Sequence, residues 1–361
     1  MIARVKIAFF SRGRGRGHVV PDMAIVRELE SETPGVDVRF VSYGIGSATL
    51  RQRGFDVIDL AVADNSTIIE SVVSAAQVVG SIRPELVIAH EEFGALPAAK
   101  IFNLPSLFIT DFFQDPNALT TRCLRYADEV VFIGNPGEFT EPPFLKNKVQ
   151  YVGAAVRRFE YRKCDRVRAR TELGLPVDGT VISFMPGSWR EAQAPVADLV
   201  VGAFDRLPFT RKCLVWLTGP DYEVLRHRCG SRDDIILKKE DWQIDRLMVA
   251  SDLAITRGTR TTLRELSALG IPSISLSHGL NWPDDVVASR IPSNTFLNAV
   301  ETNCEALCNW IQKTLADAGP EAKESEWPAG IQGAVARLAD HVERIRGQAG
   351  GSTGEPKLDR G

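Results

Sequence analysis

The sequence predicts an α/β protein built from two doubly wound parallel sheets. Three observations carry that expectation. Short apolar runs, which read as strands buried on both faces, alternate with helical stretches along most of the chain. Polar residues stand at the ends of successive strand runs, where open α/β sheets keep their ligand crevice. The alternation also starts afresh after an irregular basic segment at 155–168, and 361 residues suit two domains.

In the first half, residues 5–10 (VKIAFF) form the opening strand. A glycine-spaced loop follows at 11–17 (SRGRGRG), with Gly13, Gly15 and Gly17, and leads to His18. Residues 21–29 read as a helix with Met23, Ile25, Val26 and Leu29 on its apolar side. Strand, glycine loop and helix make a phosphate-binding topology, but neither the dinucleotide fingerprint nor a Walker lysine is present. The loop has three readings: a nucleic-acid patch, a tight turn, or the lining of an active cleft. An overall acidic chain disfavours the first, and the strand-end position favours the last.

Further strands are expected at 36–42 and 56–60, then an apolar helix over 67–82 ending before Pro84. A strand at 85–89 ends at His90, Glu91 and Glu92, and one at 105–110 ends at Asp111. Together with His18 these groups gather on one sheet edge, which is what acid–base chemistry needs. Glu91 and Glu92 have the alternative of capping the next helix. A strand at 130–133 closes the domain, and Tyr151 opens a linker. Phe108, Phe112, Phe113, Phe139 and Phe144 either line an apolar pocket or pack in the core.

The second half opens with a strand at 180–185 (TVISFM) and a turn holding Pro186, Gly187, Ser188, Trp189 and Arg190. Strands follow at 212–217 and 234–237; beyond them Trp242 either stacks on a base or packs internally. The sharpest unit is 250–278: a strand at 253–255, a polar turn at 256–262, a helix carrying Leu263, Leu266 and Leu269, and a strand at 273–276. Gly270 and Pro272 end that helix. Such a turn is an anion site, because helix N–H groups and the dipole both favour phosphate; Arg257 and Arg260 add charge-assisted bonds. The competing reading is a capping box from Thr262 to Glu265. His278, Asp284 and Asp285 lie after the next strand, helices are expected at 310–315 and 330–345, and residues 347–361 read as a disordered tail.

Composition narrows the classes. Hydrophobic residues make up 44% and charged residues 25%, with a net charge of −3, so nothing points to nucleic acid. The six cysteines are scattered without a C-x-x-C pair, and Cys304 and Cys308 lack partners for a metal. Free thiols, with neither a signal peptide nor a membrane-spanning run, predict a cytoplasmic protein, with peripheral membrane contact left open.

Arg257, Thr262 and Glu265, followed by Ala-Leu-Gly-Ile-Pro, resemble the donor segment of the GT-B glycosyltransferases. The nearest branch is that of the MurG-type N-acetylglucosaminyltransferases, glycosyltransferase family 28. Gly13, Gly17, His18 and Pro21 match that family's N-terminal glycine loop, with Arg14 and Arg16 replacing glycines. Gly187 and Ser188 match its second glycine loop; Pro186, Trp189 and Arg190 do not. In the donor turn Thr259 and Arg260 stand where the family has a Gly-Ala pair, with the glycine one place earlier at Gly258.

The resemblance implies two Rossmann-like, doubly wound domains facing across a cleft, an acceptor domain at 1–154 and a donor domain at 165–320. It also implies that the helix at 330–346 returns to the first domain. A nucleotide sugar, by default UDP-linked, is then held by Gly187, Ser188, Arg190, Trp242, Arg257, Gly258, Thr259, Arg260, Thr261, Thr262 and Glu265. His278, Asp284 and Asp285 stand near its sugar. The expected reaction is inverting transfer to an acceptor hydroxyl without metal or cofactor. His18 is the expected base, Asp111 its orienting partner and Glu91 the reserve base. The acceptor is a lipid, a natural product or a glycan. A nucleotide-sugar hydrolase of the same fold and a non-catalytic nucleotide-sugar-binding protein remain as alternatives.

Overall fold

The computed structural model describes residues 4–63, 65–187, 193–230, 232–241, 243–279, 282–317 and 327–351. The chain divides into two units, Met1–Arg157 with Pro328–Gly361, and Arg158–Trp327.

The first unit runs β1 (Val5–Ser11), α1 (Arg16–Glu32), β2 (Val36–Ser42), α2 (Gly44–Gln52), β3 (Val57–Asp59) and α3 (Ile68–Ile82). It continues through β4 (Leu86–His90), α4 (Ala95–Ile101), β5 (Ser106–Thr110), α5 (Leu119–Cys123), β6 (Glu129–Phe132) and β7 (Val149–Tyr151). The strands form one sheet in the order β3-β2-β1-β4-β5-β6-β7, every pair parallel. The order reverses between β1 and β4, where Ser11 pairs with His90, so the switch point of the sheet lies at these two residues.

The second unit runs α6 (Arg166–Leu173), β8 (Thr180–Met185), α7 (Gln193–Arg206), β9 (Lys212–Leu217), α8 (Tyr222–Cys229), β10 (Ile235–Lys238) and α9 (Ile244–Ala250). Then come β11 (Leu253–Thr256), α10 (Arg260–Ala268), β12 (Ser273–Ser277), α11 (Trp282–Ala288), β13 (Asn294–Asn298) and α12 (Cys304–Asp317). Its parallel sheet has the order β10-β9-β8-β11-β12-β13, with the switch point between β8 and β11.

The last helix, α13 (Gly330–Gly351), belongs to the first unit. Its Ile331, Ala334, Val335, Leu338 and Val342 are buried in one cluster with Val19, Met23 and Val26 of α1. Polar contacts add to this: Arg337 grips Glu129 of β6 through two bonds, Nε to Oε1 at 2.6 Å and Nη2 to Oε2 at 2.8 Å. His341 Nε2 lies 3.2 Å from the same carboxylate.

Several sequence readings are corrected. The helix expected over 21–29 starts earlier: α1 begins at Arg16 and encloses Pro21, placing Gly17 and His18 on the helix. Tyr151 ends a strand rather than opening a linker. Helix α13 continues to Gly351, past the expected start of a tail; residues 352–361 lie outside the described residues. Of the phenylalanines weighed between pocket and core, Phe108, Phe112, Phe113 and Phe139 are buried in the core: Phe113 packs on Phe132 at 4.9 Å, Phe108 on Phe93 at 5.0 Å, and Phe112 meets Phe139 at 6.3 Å. Phe144 lies under the guanidinium of Arg125 at 5.1 Å.

Candidate functional site

The first unit gathers its polar groups at the β1/β4 switch point. His18, in the first turn of α1, sets its Nε2 2.9 Å from Glu91 Oε2. Glu91 follows β4 with φ +53, a left-handed backbone uncommon for a residue with a side chain, which turns its carboxylate toward α1. Arg12 Nη1 reaches the same oxygen at 3.2 Å, and Thr110 Oγ1 donates to Oε1 at 3.2 Å. Beneath this pair His90 Nδ1 lies 2.6 Å from Asp22 Oδ1, and Ser11 Oγ donates a short bond to Asp22 Oδ2. The rings of His18 and His90 meet edge-on, 4.9 Å between centroids.

The residues expected at this edge divide. His18, His90 and Glu91 come together; Asp111 is buried and close enough for its charge to favour protonated His90. The carboxylate bonded to His18 is Glu91, expected only as a reserve base. Glu92 turns away to accept from Ser71 Oγ at 2.6 Å, and burial pushes its carboxyl above the usual range. Neither acid caps the following helix, whose N-cap is Gly94. Sequence reasoning missed Asp22, Arg12 and Thr110; the signal for Asp22 was its place one helical turn after His18, on the same face.

Of the loop glycines, Gly13 has a steric reason to be glycine: a Cβ there would sit 2.0 Å from the carbonyl oxygen of Tyr43. Gly15 is the N-cap of α1, and Gly17 lies in its first turn. Nitrogen and oxygen atoms of His18, His90 and Glu91 fall within 4.8 Å of one another. The guanidinium of Arg12 on the Glu91 oxygen opposes a divalent ion there.

In the second unit the turn between β11 and α10 stands at the β8/β11 switch point. Gly258 adopts φ +83 and donates its N–H to Thr256 Oγ1 at 2.8 Å, so the glycine stands where the backbone needs it. Helix α10 begins at Arg260 with Thr259 as N-cap, and the cap side chain bonds no helix N–H. Thr259 Oγ1 instead donates to Thr262 Oγ1 at 2.9 Å. The expected capping box from Thr262 to Glu265 is therefore corrected: Thr262 lies inside the helix, and Glu265 is buried on it. Thr261 lies in the first helical turn.

Arg257 Nη1 and His278 Nε2 are buried nitrogens with no hydrogen-bond partner among the described residues. Burial lowers the proton affinity of Arg257, against the opposing charge of Asp284. Burial and then the charge of Arg257 hold His278 below the ordinary histidine value. Unsatisfied buried donors are costly, and a bound anion would satisfy Arg257. Arg260 Nη1 is held at 2.8 Å by Asp284, and Asp285 accepts from Ser277 Oγ. Gly187 ends the β8 side of the site with φ +79, its Cβ position 3.7 Å from Thr259. Ser188, Arg190 and Trp242 lie outside the described residues.

No family model matches the chain. In sequence it is similar to UDP-N-acetylglucosamine--N-acetylmuramyl-(pentapeptide) pyrophosphoryl-undecaprenol N-acetylglucosamine transferases. That of Exiguobacterium sibiricum is 25% identical over 363 residues, covering 93% of this chain and 97% of the relative. That of Acetivibrio thermocellus is 25% identical over 291 residues, covering 73% and 76%. Among solved structures, the calicheamicin glycosyltransferase CalG4 superposes with a TM-score of 0.67 at 14% identity, over 96% of this chain and all (100%) of its own. MurG of Acinetobacter baumannii gives 0.65 at 14% identity, over 94% and 99%. The UDP complex of S. aureus MnaA gives 0.69 at 16%, over 94% and 96%. The fold is the two-domain GT-B α/β fold, and the sequence likeness is to sugar-transferring enzymes of the MurG type.

Proposed function

We propose that this protein is an inverting glycosyltransferase that moves a sugar from a UDP-sugar to an acceptor hydroxyl without a metal ion. The observation that carries this reading is the buried, unpartnered Arg257 Nη1 in the turn before α10. It occurs in a chain that resembles UDP-N-acetylglucosamine transferases over 93% of its length. A diphosphate placed there would take the Arg257 donor and the first N–H groups of α10. Glu265, buried on the same helix, is the acceptor we assign to the ribose hydroxyls.

In the first unit His18 is the base. With Nε2–H donated to the Glu91 carboxylate, the remaining ring nitrogen takes the proton from the acceptor hydroxyl. The freed oxygen attacks the anomeric carbon as the bond to the diphosphate breaks, and the electron pair leaves on phosphate. One displacement inverts that centre. Guanidinium and helix N–H groups do the charge stabilisation that a metal would otherwise supply.

The acceptor we infer is lipid-linked. The relatives' names specify a pyrophosphoryl-undecaprenol acceptor. Helix α3 leaves Ile69 and Val73 exposed, at 71% and 52%, one turn apart on an apolar helix. No described helix is long and apolar enough to cross a membrane. The deciding experiment is UDP release from UDP-N-acetylglucosamine, with and without undecaprenyl-pyrophosphoryl acceptor in vesicles. Acceptor-dependent release supports the reading; release of free sugar at the same rate without acceptor overturns it.

A further inference from the structure

Asp22 and His90 form a second polar pair that the proton transfer itself does not use. Asp22 is fully buried within α1, on the face it shares with His18. The two pairs are interleaved: His18 and Asp22, on the helix, meet Glu91 and His90, consecutive residues at the end of β4. Ser11 Oγ closes the base of the arrangement on Asp22. Packing alone does not require this, because apolar residues of similar volume stabilise a buried position at least as well as an ion pair.

We propose that Asp22 and His90 are positioning residues, which lock the first turns of α1 to the end of β4 so that His18 keeps Nε2 on Glu91 and offers its other nitrogen to the acceptor. This rests on His18 and Glu91 being the reacting pair. Burial opposes the charging of His90, but the charge and hydrogen bond of Asp22, with the charges of Glu91 and Asp111, raise its proton affinity above the ordinary histidine value. The ionisable groups facing His90 are Asp22 and His18 from α1, Glu91 beside it and Asp111 after β5. Arg12 reaches the Glu91 carboxylate from the end of β1. The His90 ring braces the His18 ring edge-on, with 4.9 Å between centroids.

The test is nitrogen-detected NMR of the histidine side chains in the intact protein, whose five histidines are assignable by single substitutions. The wild type should show His18 in one fixed tautomer, protonated at Nε2, and His90 taking up its second proton at a higher pH than an ordinary histidine. Asp22→Asn should lower the pH at which His90 titrates and leave His18 averaging between tautomers. Ser11→Ala, a milder change that keeps the carboxylate, should give partial averaging if Asp22→Asn fails to fold. A His18 spectrum identical to wild type in the folded variants overturns the proposal. In the UDP-release assay, Asp22→Asn should lower kcat by about 10²-fold with the donor KM unchanged, the loss expected of a misplaced reacting group. A wild type that releases no UDP defeats the transferase reading, whereas the NMR result judges the positioning role separately.

Discussion

His18 Nε2 and Glu91 Oε2 lie 2.9 Å apart although 73 residues separate them in the chain. One stands on the first turn of α1 and the other on the left-handed residue after β4, and the β1/β4 pairing brings them together. A neutral histidine whose Nε2–H is committed to a carboxylate carries its free lone pair on the other ring nitrogen.

Replacing either partner should therefore remove chemistry and spare binding. His18→Gln and Glu91→Gln should each lower kcat by roughly 10²–10⁴-fold, the usual contribution of general base catalysis. UDP affinity, read by calorimetry, should stay at the wild-type value, because UDP is assigned to the other unit. Loss of UDP binding in either variant would contradict the assignment.

Arg257→Ala should do the reverse. Losing a charge-assisted bond to phosphate should weaken UDP binding by about 10–100-fold. The apo protein should melt no lower than wild type, since the change removes a buried donor that has no partner. A lower apo melting temperature with unaltered UDP affinity would make Arg257 purely structural.

Glu265→Ala separates a ligand contact from a helix cap. Thr259 is the N-cap of α10, so the substitution removes no cap. UDP should stabilise the wild type in a thermal shift panel and lose that effect in the variant. Were no nucleoside diphosphate to shift the wild type, the donor site would be lost with it.

The anchor of α13 has a pH signature. Burial raises the Glu129 carboxyl, but the bonds from Arg337 and His341 outweigh it and hold the group down at about 2, against 4.5 for an unperturbed carboxyl. A depressed carboxyl contributes stability above its unfolded value and loses it as pH falls through the folded one, so the loss falls between about pH 4.5 and 2. The contribution at neutral pH is on the order of 3 kcal/mol. Glu129→Gln should lower stability at pH 7 and cost much less near pH 2, as urea titrations at the two pH values would show. Equal losses at both would place the effect in packing.

Local sequence pattern was enough to specify the class of fold. A parallel strand covered by helices on both faces must be apolar along its length, and each crossover needs a helix, so the alternation was readable from 5–10 onward and again from 180–185. It also marked His18, Glu91 and Arg257, because polar groups at strand ends and in the turns after them stand out against apolar runs, whereas Glu265 was marked by the family resemblance. The partners were legible only once the elements had packed together. Whether Glu91 or Asp111 meets His18 depends on strand order and on the rotation of α1, neither of which a local pattern encodes. Asp22 looked like an ordinary polar helix residue until the Ser11–His90 register put it against β4. The same holds for Thr262, whose spacing to Glu265 matched a cap while the backbone began its helix earlier, at Arg260. Periodicity is a local property, set by which face of each element must be dry; pairing is a property of how separate elements come together.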